Sequence, residues 1–260
     1  MRVKAKKHLG QHFLKDATIC QRIVDSIPLE KTQNVLEIGP GTGALTKWLQ
    51  EEKKIESLFL MDVDQESIAY LNQVYPELKE RILFADFLNY NIDEFLENES
   101  FNVVGNFPYN ISSQILFRCL EFKDRVPEIV GMFQREVAQR IAQGPGNKQY
   151  GILSVFMQAY YEIEYLFTVD EDVFDPPPKV KSGVIRCVRN SRKSLPCDEK
   201  LFKTVVKTAF NQRRKTMRNS LKSLLGATIL PEKFSGERPE QCSVDDFIEL
   251  TNLIEVNRTT

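Results

Sequence analysis

The tetrapeptide Asn106-Phe107-Pro108-Tyr109 places an amide, a rigid turn and a large aromatic face within four residues. An amide oxygen accepts hydrogen bonds from an amine without taking its proton, and a tyrosine ring stacks on a flat heterocycle. This combination suits a planar, weakly nucleophilic amine better than it suits acid/base or metal chemistry. Asn106 and Tyr109 are the side chains expected to carry that chemistry.

Something must hold these groups in place. The tetrapeptide follows Phe101-Asn102-Val103-Val104-Gly105, a short apolar run with the pattern of a buried strand. In open α/β sheets, ligands gather beyond the carboxyl ends of the strands. A second site of this kind lies earlier, where Asn34-Val35-Leu36-Glu37-Ile38 runs into Gly39-Pro40-Gly41-Thr42-Gly43 and a helical pattern through Leu49. Glycines admit a ligand close to the backbone, and the following helix start offers unpaired N–H groups. The spacing is G-x-G-x-G rather than G-x-G-x-x-G, and no Lys-Ser/Thr follows as in a phosphate-binding loop. Glu37 would repel a pyrophosphate and attract a cationic, phosphate-free cofactor. An acid followed by G-x-G-x-G is the signature of an S-adenosylmethionine (SAM) site, with Glu37, Gly39 and Gly41 as its first contacts.

Two further strands end in acids. Ser57–Met61 leads into Asp62-Val63-Asp64, about twenty residues beyond the glycine turn, where a carboxylate accepts hydrogen bonds from a ribose diol. Asp62 is the ribose candidate, and Asp64 is expected to cap the next helix, Gln65 to Val74. The strand Arg81–Phe84 leads into Ala85-Asp86-Phe87, so Asp86 could pair with an adenine amine and Phe87 could line the ring. Taken singly, each acid reads as an ordinary loop carboxylate. Three at successive strand tips, in register with the glycine turn, describe one cofactor site.

The remaining chain extends this pattern. Asp16 is placed to cap a helix carrying Ile19, Ile23, Val24 and Ile27. Ile129–Phe133, Tyr161–Val169 and Gly183–Val188 read as strands, and Phe174-Asp175-Pro176-Pro177-Pro178-Lys179-Val180 as a stiff loop. Alternating strands and helices predict an α/β, doubly wound Rossmann-like sheet over residues 1–190. Around 190–197 the composition shifts to a linker, and residues 191–260 read as a small all-helical domain: Asp198–Phe210, Lys215–Leu225 and a last helix opened by Ser243 and Asp246 as a capping box.

Charge is segregated within this nearly neutral chain, whose 35 basic and 36 acidic residues give a net charge of −1. The first fifteen residues contain Arg2, Lys4, Lys6, Lys7 and Lys15 and no acid. From Lys200 to Lys222 there are eight basic residues and again no acid. A solvated face is the plain reading of either run. Acid-free stretches of this length in a chain that is neutral as a whole point instead to a polyphosphate partner such as RNA. The five cysteines are widely spaced without a C-x-x-C pair, and the two histidines form no metal-ligand cluster, so no metal is expected. A reducing, cytoplasmic location fits this cysteine usage. No apolar run is long enough to predict a membrane span.

The residues quoted above resemble the KsgA family of small-subunit rRNA adenine N6,N6-dimethyltransferases. The resemblance covers essentially the whole chain. It includes Gly10-Gln11-His12-Phe13-Leu14, the Glu37–Gly41 turn, Asn106–Ser112, Gln134–Val137, Tyr150-Gly151, Phe174–Val180 and Phe210–Thr216. The last stretch lies outside any generic SAM fold and is the most specific. The resemblance implies SAM as methyl donor, without a metal, and contacts to it from His12, Leu14, Gly39, Asp62, Asp86 and Asn106. Three positions depart from the commonest family pattern: His12 stands for Asn, Asp62 for Glu and Phe107 for Leu. Phe107 would act through its backbone carbonyl and so tolerate the change. Asn106 and Phe107 would accept the two adenine N6 hydrogens, Tyr109 would stack on the base, and Phe174 could form a second wall. Lys4, Lys6, Lys7, Arg213, Arg214, Lys215 and Arg218 would hold rRNA phosphates. The implied partner is small-subunit rRNA in an immature ribosomal subunit, with the enzyme a monomer. A large-subunit rRNA methyltransferase of the same superfamily, a DNA adenine methyltransferase and a non-catalytic ribosome-assembly factor share parts of this pattern.

Overall fold

Strand-forming runs alternate with amphipathic helices in the computed structural model, which describes residues 3–226 and 229–256. Arg2 lies outside the described residues. The strands are β1 (Phe13–Leu14), β2 (Asn34–Ile38), β3 (Ser57–Asp62), β4 (Ile82–Phe84), β5 (Asn102–Asn106), β6 (Glu128–Gln134), β7 (Tyr161–Val169), β8 (Phe174–Asp175) and β9 (Ser182–Arg189). The helices are α1 (Ala17–Asp25), α2 (Thr46–Glu51), α3 (Gln65–Val74), α4 (Asp93–Leu96), α5 (Ser112–Glu121), α6 (Arg135–Ala142), α7 (Ile152–Gln158), α8 (Glu199–Asn211), α9 (Met217–Ser220), α10 (Lys222–Leu225), α11 (Glu232–Ser235) and α12 (Val244–Val256).

Seven strands form a Rossmann-like sheet in the order β4-β3-β2-β5-β6-β9-β7, and β1 pairs with β8 as a separate antiparallel piece. Strands β4, β3, β2, β5 and β6 are parallel, while β9 joins β6 antiparallel. From β2 the chain winds outward through β3 and β4, then returns to build β5 and β6 on the other side. The crevice beyond the ends of β2 and β5 is the topological switch point, where such sheets bind ligands. Glu37 is in register with Val104, so the glycine turn and Asn106 leave neighbouring strands at the same level. Val35, Leu36, Val103, Val104, Ile129 and Val130 are almost wholly buried, as parallel strands covered on both faces require.

Helix starts follow their side-chain chemistry. The Asp16 carboxylate accepts the Thr18 and Ile19 N–H groups to open α1, and Asp64 accepts that of Glu66 to open α3. At α12 the Ser243 hydroxyl accepts the Asp246 N–H and the Asp246 carboxylate accepts the Ser243 N–H. The expected helix over Lys215–Leu225 is two short helices, α9 and α10, separated at Leu221 without a glycine or proline.

The chain divides into two compact units, one of Met1–Ala138 with Glu162–Arg189 and one of Gln139–Tyr161 with Asn190–Thr260. The expected boundary at residue 190 therefore needs an addition: Gln139–Tyr161 belongs with the C-terminal helices. The reason is packing, since the buried face of α7 (Leu153, Val155, Phe156, Met157) lies on α8 and α12. Phe156 meets Phe202 and Tyr150 meets Phe210 in that second core. Among the described residues, no helix is long and apolar enough to cross a membrane.

Candidate active site

One cavity in the first unit gathers the loops at the tips of β2, β3, β4 and β5 together with the arm residues Leu9–Leu14. His12, Leu14, Glu37, Gly39, Gly41, Asp62, Asp86, Asn106, Phe107 and Tyr109 all line it. Its acids are Glu37, Asp62 and Asp86, and the described residues that line it include no lysine or arginine. Three carboxyl groups with no lysine or arginine among the described lining residues disfavour a phosphate and suit a positively charged guest.

The glycine turn is held by those acids. Gly41 has φ +55°, and a Cβ there would come within 2.8 Å of the Phe13 ring, so only glycine fits beneath the arm. Its N–H donates to Asp62 Oδ2 over 3.1 Å, while Asp62 Oδ1 accepts the Asp64 N–H over 2.9 Å. Burial pushes the Asp62 carboxyl up, with these backbone hydrogen bonds opposing the shift. Glu37 is 2% exposed, and its Oε2 accepts the Thr46 hydroxyl over 2.6 Å. Burial, opposed by Thr46 and reinforced by the charge of Asp62, pushes Glu37 up to about 8.

Asp86 accepts the Leu88 N–H over 3.0 Å and the Asn89 side-chain amide over 2.6 Å, which shapes the loop beyond β4. The apolar neighbour that faces the cavity is Leu88. Phe87, the expected ring-lining residue, is instead buried in the core at 3% exposure. Val63, 44% exposed, adds a second apolar surface. Its signal in the sequence was a lone aliphatic residue between two acids.

Asn106 is fixed by its neighbours. Its Nδ2 donates to the His12 carbonyl over 2.8 Å. A carbonyl can only accept, so the NH2 faces His12 and Oδ1 is left to accept from another donor. By the same logic His12 carries its ring proton on Nδ1, which donates to the Pro176 carbonyl over 2.8 Å. The His12 and Tyr109 rings stack at 5.5 Å and 29°. The Tyr109 hydroxyl lies 2.5 Å from Ser182 Oγ, a fully buried group at the start of β9 that sequence reasoning missed. Burial raises the Tyr109 phenol, with Ser182 opposing, so the ring is neutral at physiological pH. The Phe107 side chain turns away into the core, edge-to-face with Phe133 at 5.2 Å, while its N–H donates to the Met132 carbonyl over 3.2 Å.

Phe174 requires a correction. It is 1% exposed, packs in the core cluster that includes Leu14 and is not among the cavity-lining residues. Pairing of β8 with β1 sets Phe174 opposite Leu14, and this contributes structure to the arm rather than a wall to the site. The basic residues also separate into two kinds. Lys4, Lys7, Arg214, Lys215 and Arg218 are exposed. Lys6 instead pairs with Asp64 at 2.5 Å and Glu66 at 3.2 Å, and Arg213 donates to the Lys148 carbonyl and pairs with Glu240 at 3.6 Å.

The profile of the ribosomal RNA adenine dimethylase family matches residues 2–255. A protein of Flavobacterium johnsoniae called ribosomal RNA small subunit methyltransferase A is 57% identical over 257 residues, 98% of each chain. A Porphyromonas gingivalis protein of the same name is 55% identical, covering 98% of this chain and 99% of its own. Among solved structures, a dimethyladenosine transferase from Plasmodium falciparum shares the fold at a TM-score of 0.78 and 22% identity, covering 95% of this chain and 98% of that one. The 23S rRNA methyltransferase ErmE superposes at 0.69 with 25% identity over 92% of this chain and 99% of its own. These matches run through the C-terminal helices as well as the sheet, and the chain belongs to the ribosomal RNA adenine dimethylase family.

Proposed function

We propose that this protein dimethylates N6 of two adjacent adenines near the 3′ end of small-subunit rRNA, using SAM, on an immature small subunit in the cytoplasm and as a monomer. The observation that carries the cofactor is the cavity at the switch point, whose described lining residues include three acids and no lysine or arginine. Its groups fit SAM: Glu37 for the charged methionine end, Gly39 and Gly41 for the backbone cradle, Asp62 for the ribose, and Asp86 with Leu88 and Val63 for the adenine. His12 and Leu14 cover this site from the arm. When bound, SAM supplies a methyl group activated by its sulfonium charge.

The protein has little acid/base work to do. The lone pair of an adenine amine is delocalised into the ring, so the obstacle is geometry rather than a proton. Asn106 Oδ1, left free because Nδ2 is held by His12, accepts one N6 hydrogen, and the Phe107 carbonyl accepts the other. Two fixed acceptors favour a tetrahedral nitrogen with its lone pair directed at the donor. Tyr109 holds the extruded base by its face. The excess proton leaves to water from a nitrogen made acidic by its new bond. A second transfer needs room for one methyl group and a fresh cofactor.

The exposed Lys4, Lys7, Arg214, Lys215 and Arg218 supply phosphate contacts that position the RNA without reading much sequence. The likeness to ErmE favours a large-subunit substrate as the second reading. The small-subunit reading rests on the far higher identity to proteins named for that activity. Incubation with labelled SAM and each ribosomal subunit lacking the modification separates the two. Dimethyladenine in small-subunit RNA is the expected result, and label confined to large-subunit RNA overturns the assignment.

A further inference from the structure

The arm before β1 is tied to the strand tip that carries the cofactor acids, and these ties reach the catalytic amide. Asp64 has a side chain with no solvent exposure. Its Oδ1 receives the Lys6 ammonium at 2.5 Å and its Oδ2 receives the Gln11 amide at 3.0 Å. Gln11 closes the loop on itself, since its Oε1 accepts the Lys6 backbone N–H over 2.8 Å. On its other side Asp64 donates its own N–H to Asp62, which also holds Gly41. The next residue of the arm, His12, provides the carbonyl that orients Asn106. Burial alone would raise the Asp64 carboxyl; the hydrogen bonds from Lys6, Gln11 and the Glu66 N–H, with the Lys6 charge, together hold the group below its ordinary value.

We propose that Lys6, Gln11 and Asp64 form a latch that orients the Asn106 amide through the His12 carbonyl, which makes them positioning residues for methyl transfer. The proposal rests on the reading of Asn106 as the acceptor of the target amine. With the latch closed, the His12 carbonyl faces Nδ2 and Oδ1 is presented to the substrate. With it open, the amide loses its fixed neighbour on the arm side and rotates between orientations, one of which offers an NH2 to an amine that needs an acceptor. Lys6, partly covered, then serves the site through its pairing with Asp64, whereas Lys4 and Lys7 are exposed.

Gln11→Ala, Lys6→Met and Lys6→Arg test this in the full-length protein. The assay is methylation of small subunits at saturating SAM, combined with the salt dependence of subunit binding and amide hydrogen exchange over residues 7–14. The expected result for the first two variants is a fall in kcat of ten- to a hundredfold order, the scale of a misplaced catalytic group. KM for the subunit and the salt slope stay as in wild type, exchange in the arm accelerates, and Lys6→Arg restores both rate and protection. Unchanged kcat in folded Gln11→Ala and Lys6→Met overturns the latch. So does a loss confined to KM with a shallower salt slope, which would make Lys6 a phosphate contact. Wild type is the control for the underlying reading: if it methylates no small-subunit adenine, the function fails, while the exchange data still report whether Lys6 and Gln11 secure the arm.

Discussion

The Phe107 ring fills the space that a side chain at Gly131 would need. A Cβ built at Gly131 collides with the edge of that ring, and one built at Gly105 meets it at 2.7 Å. Gly105 and Gly131 are paired on the adjacent strands β5 and β6, so two glycines together make the slot for one aromatic residue. The slot anchors the backbone of Asn106-Phe107-Pro108 against the sheet while the side chain stays out of the cavity. The slot thus accommodates a phenylalanine side chain while leaving the backbone of the tetrapeptide at the edge of the cavity.

Phe107→Leu should therefore cost about 1 kcal/mol of stability and leave methylation largely intact, because leucine fills most of the slot. Gly131→Ala should cost about 1–3 kcal/mol or more and reduce activity, because the ring must shift and carry the backbone carbonyl with it. The double variant should recover part of the loss. Thermal unfolding of the four proteins gives the coupling between the two sites, and strict additivity would exclude the contact as the cause.

If Glu37 faces the cationic cofactor as proposed, SAM binding should depend on pH. The Glu37 carboxyl is raised from 4.5 to about 8 in the folded protein, so the folded chain holds a proton that the unfolded chain releases between those values. Its contribution to stability is fully present below about pH 4.5 and is lost as pH rises through about 8. A cationic cofactor reverses the preference, because it binds best when Glu37 is ionised. SAM affinity should rise with pH up to about 8, with net proton release near pH 7, and both effects should vanish in Glu37→Gln. Calorimetry in buffers of different ionisation enthalpy measures the release directly.

Much of this site was legible in the sequence because its determinants are local. A strand followed by glycines, or by an acid, announces a strand tip, and Gly39, Gly41, Asp62, Asp86 and Asn106 all reach one cavity for that reason. What was not legible depends on partners distant in sequence. Lys6 reads as one more cation of a basic arm, yet its partner Asp64 lies 58 residues away. Phe174 has the composition of a binding loop, and its burial follows only from the pairing of β8 with β1. The Ser182 hydroxyl looks like any strand-edge serine until the chain brings Tyr109 to it across 73 residues. The placement of Gln139–Tyr161 with the C-terminal helices has the same origin, since an apolar helix does not declare which core it will join.

Asn106→Ala removes the proposed acceptor of one N6 hydrogen and should lower kcat by a hundredfold or more, the order expected when one hydrogen-bonding group of a preorganised site is removed. SAM affinity should change far less, because the acids and the glycine turn remain. Asn106→Asp is the sharper test. A carboxylate at this position faces the His12 carbonyl, acceptor against acceptor, so the arm should loosen as well as the rate fall. Wild-type rates in Asn106→Asp would show that the amide orientation is irrelevant to catalysis.

The C-terminal basic residues divide into an exposed set and a structurally held one. Arg214, Lys215 and Arg218 are exposed, whereas Arg213 is held by the Lys148 carbonyl and Glu240 within the second unit. Replacing the exposed three with glutamine should weaken subunit binding and reduce the slope of log affinity against log salt by about 0.7 for each single-stranded phosphate no longer neutralised. SAM binding should be unaffected, since the proposed SAM cavity is lined by residues of the first unit. Arg213→Ala should act differently: a fall in stability below about 1 kcal/mol, as expected for a partly exposed pair, and a smaller change in salt slope than any of its neighbours. Filter binding of small subunits across a salt series distinguishes the two sets, and an unchanged slope in the triple variant would remove the helical region from the RNA interface.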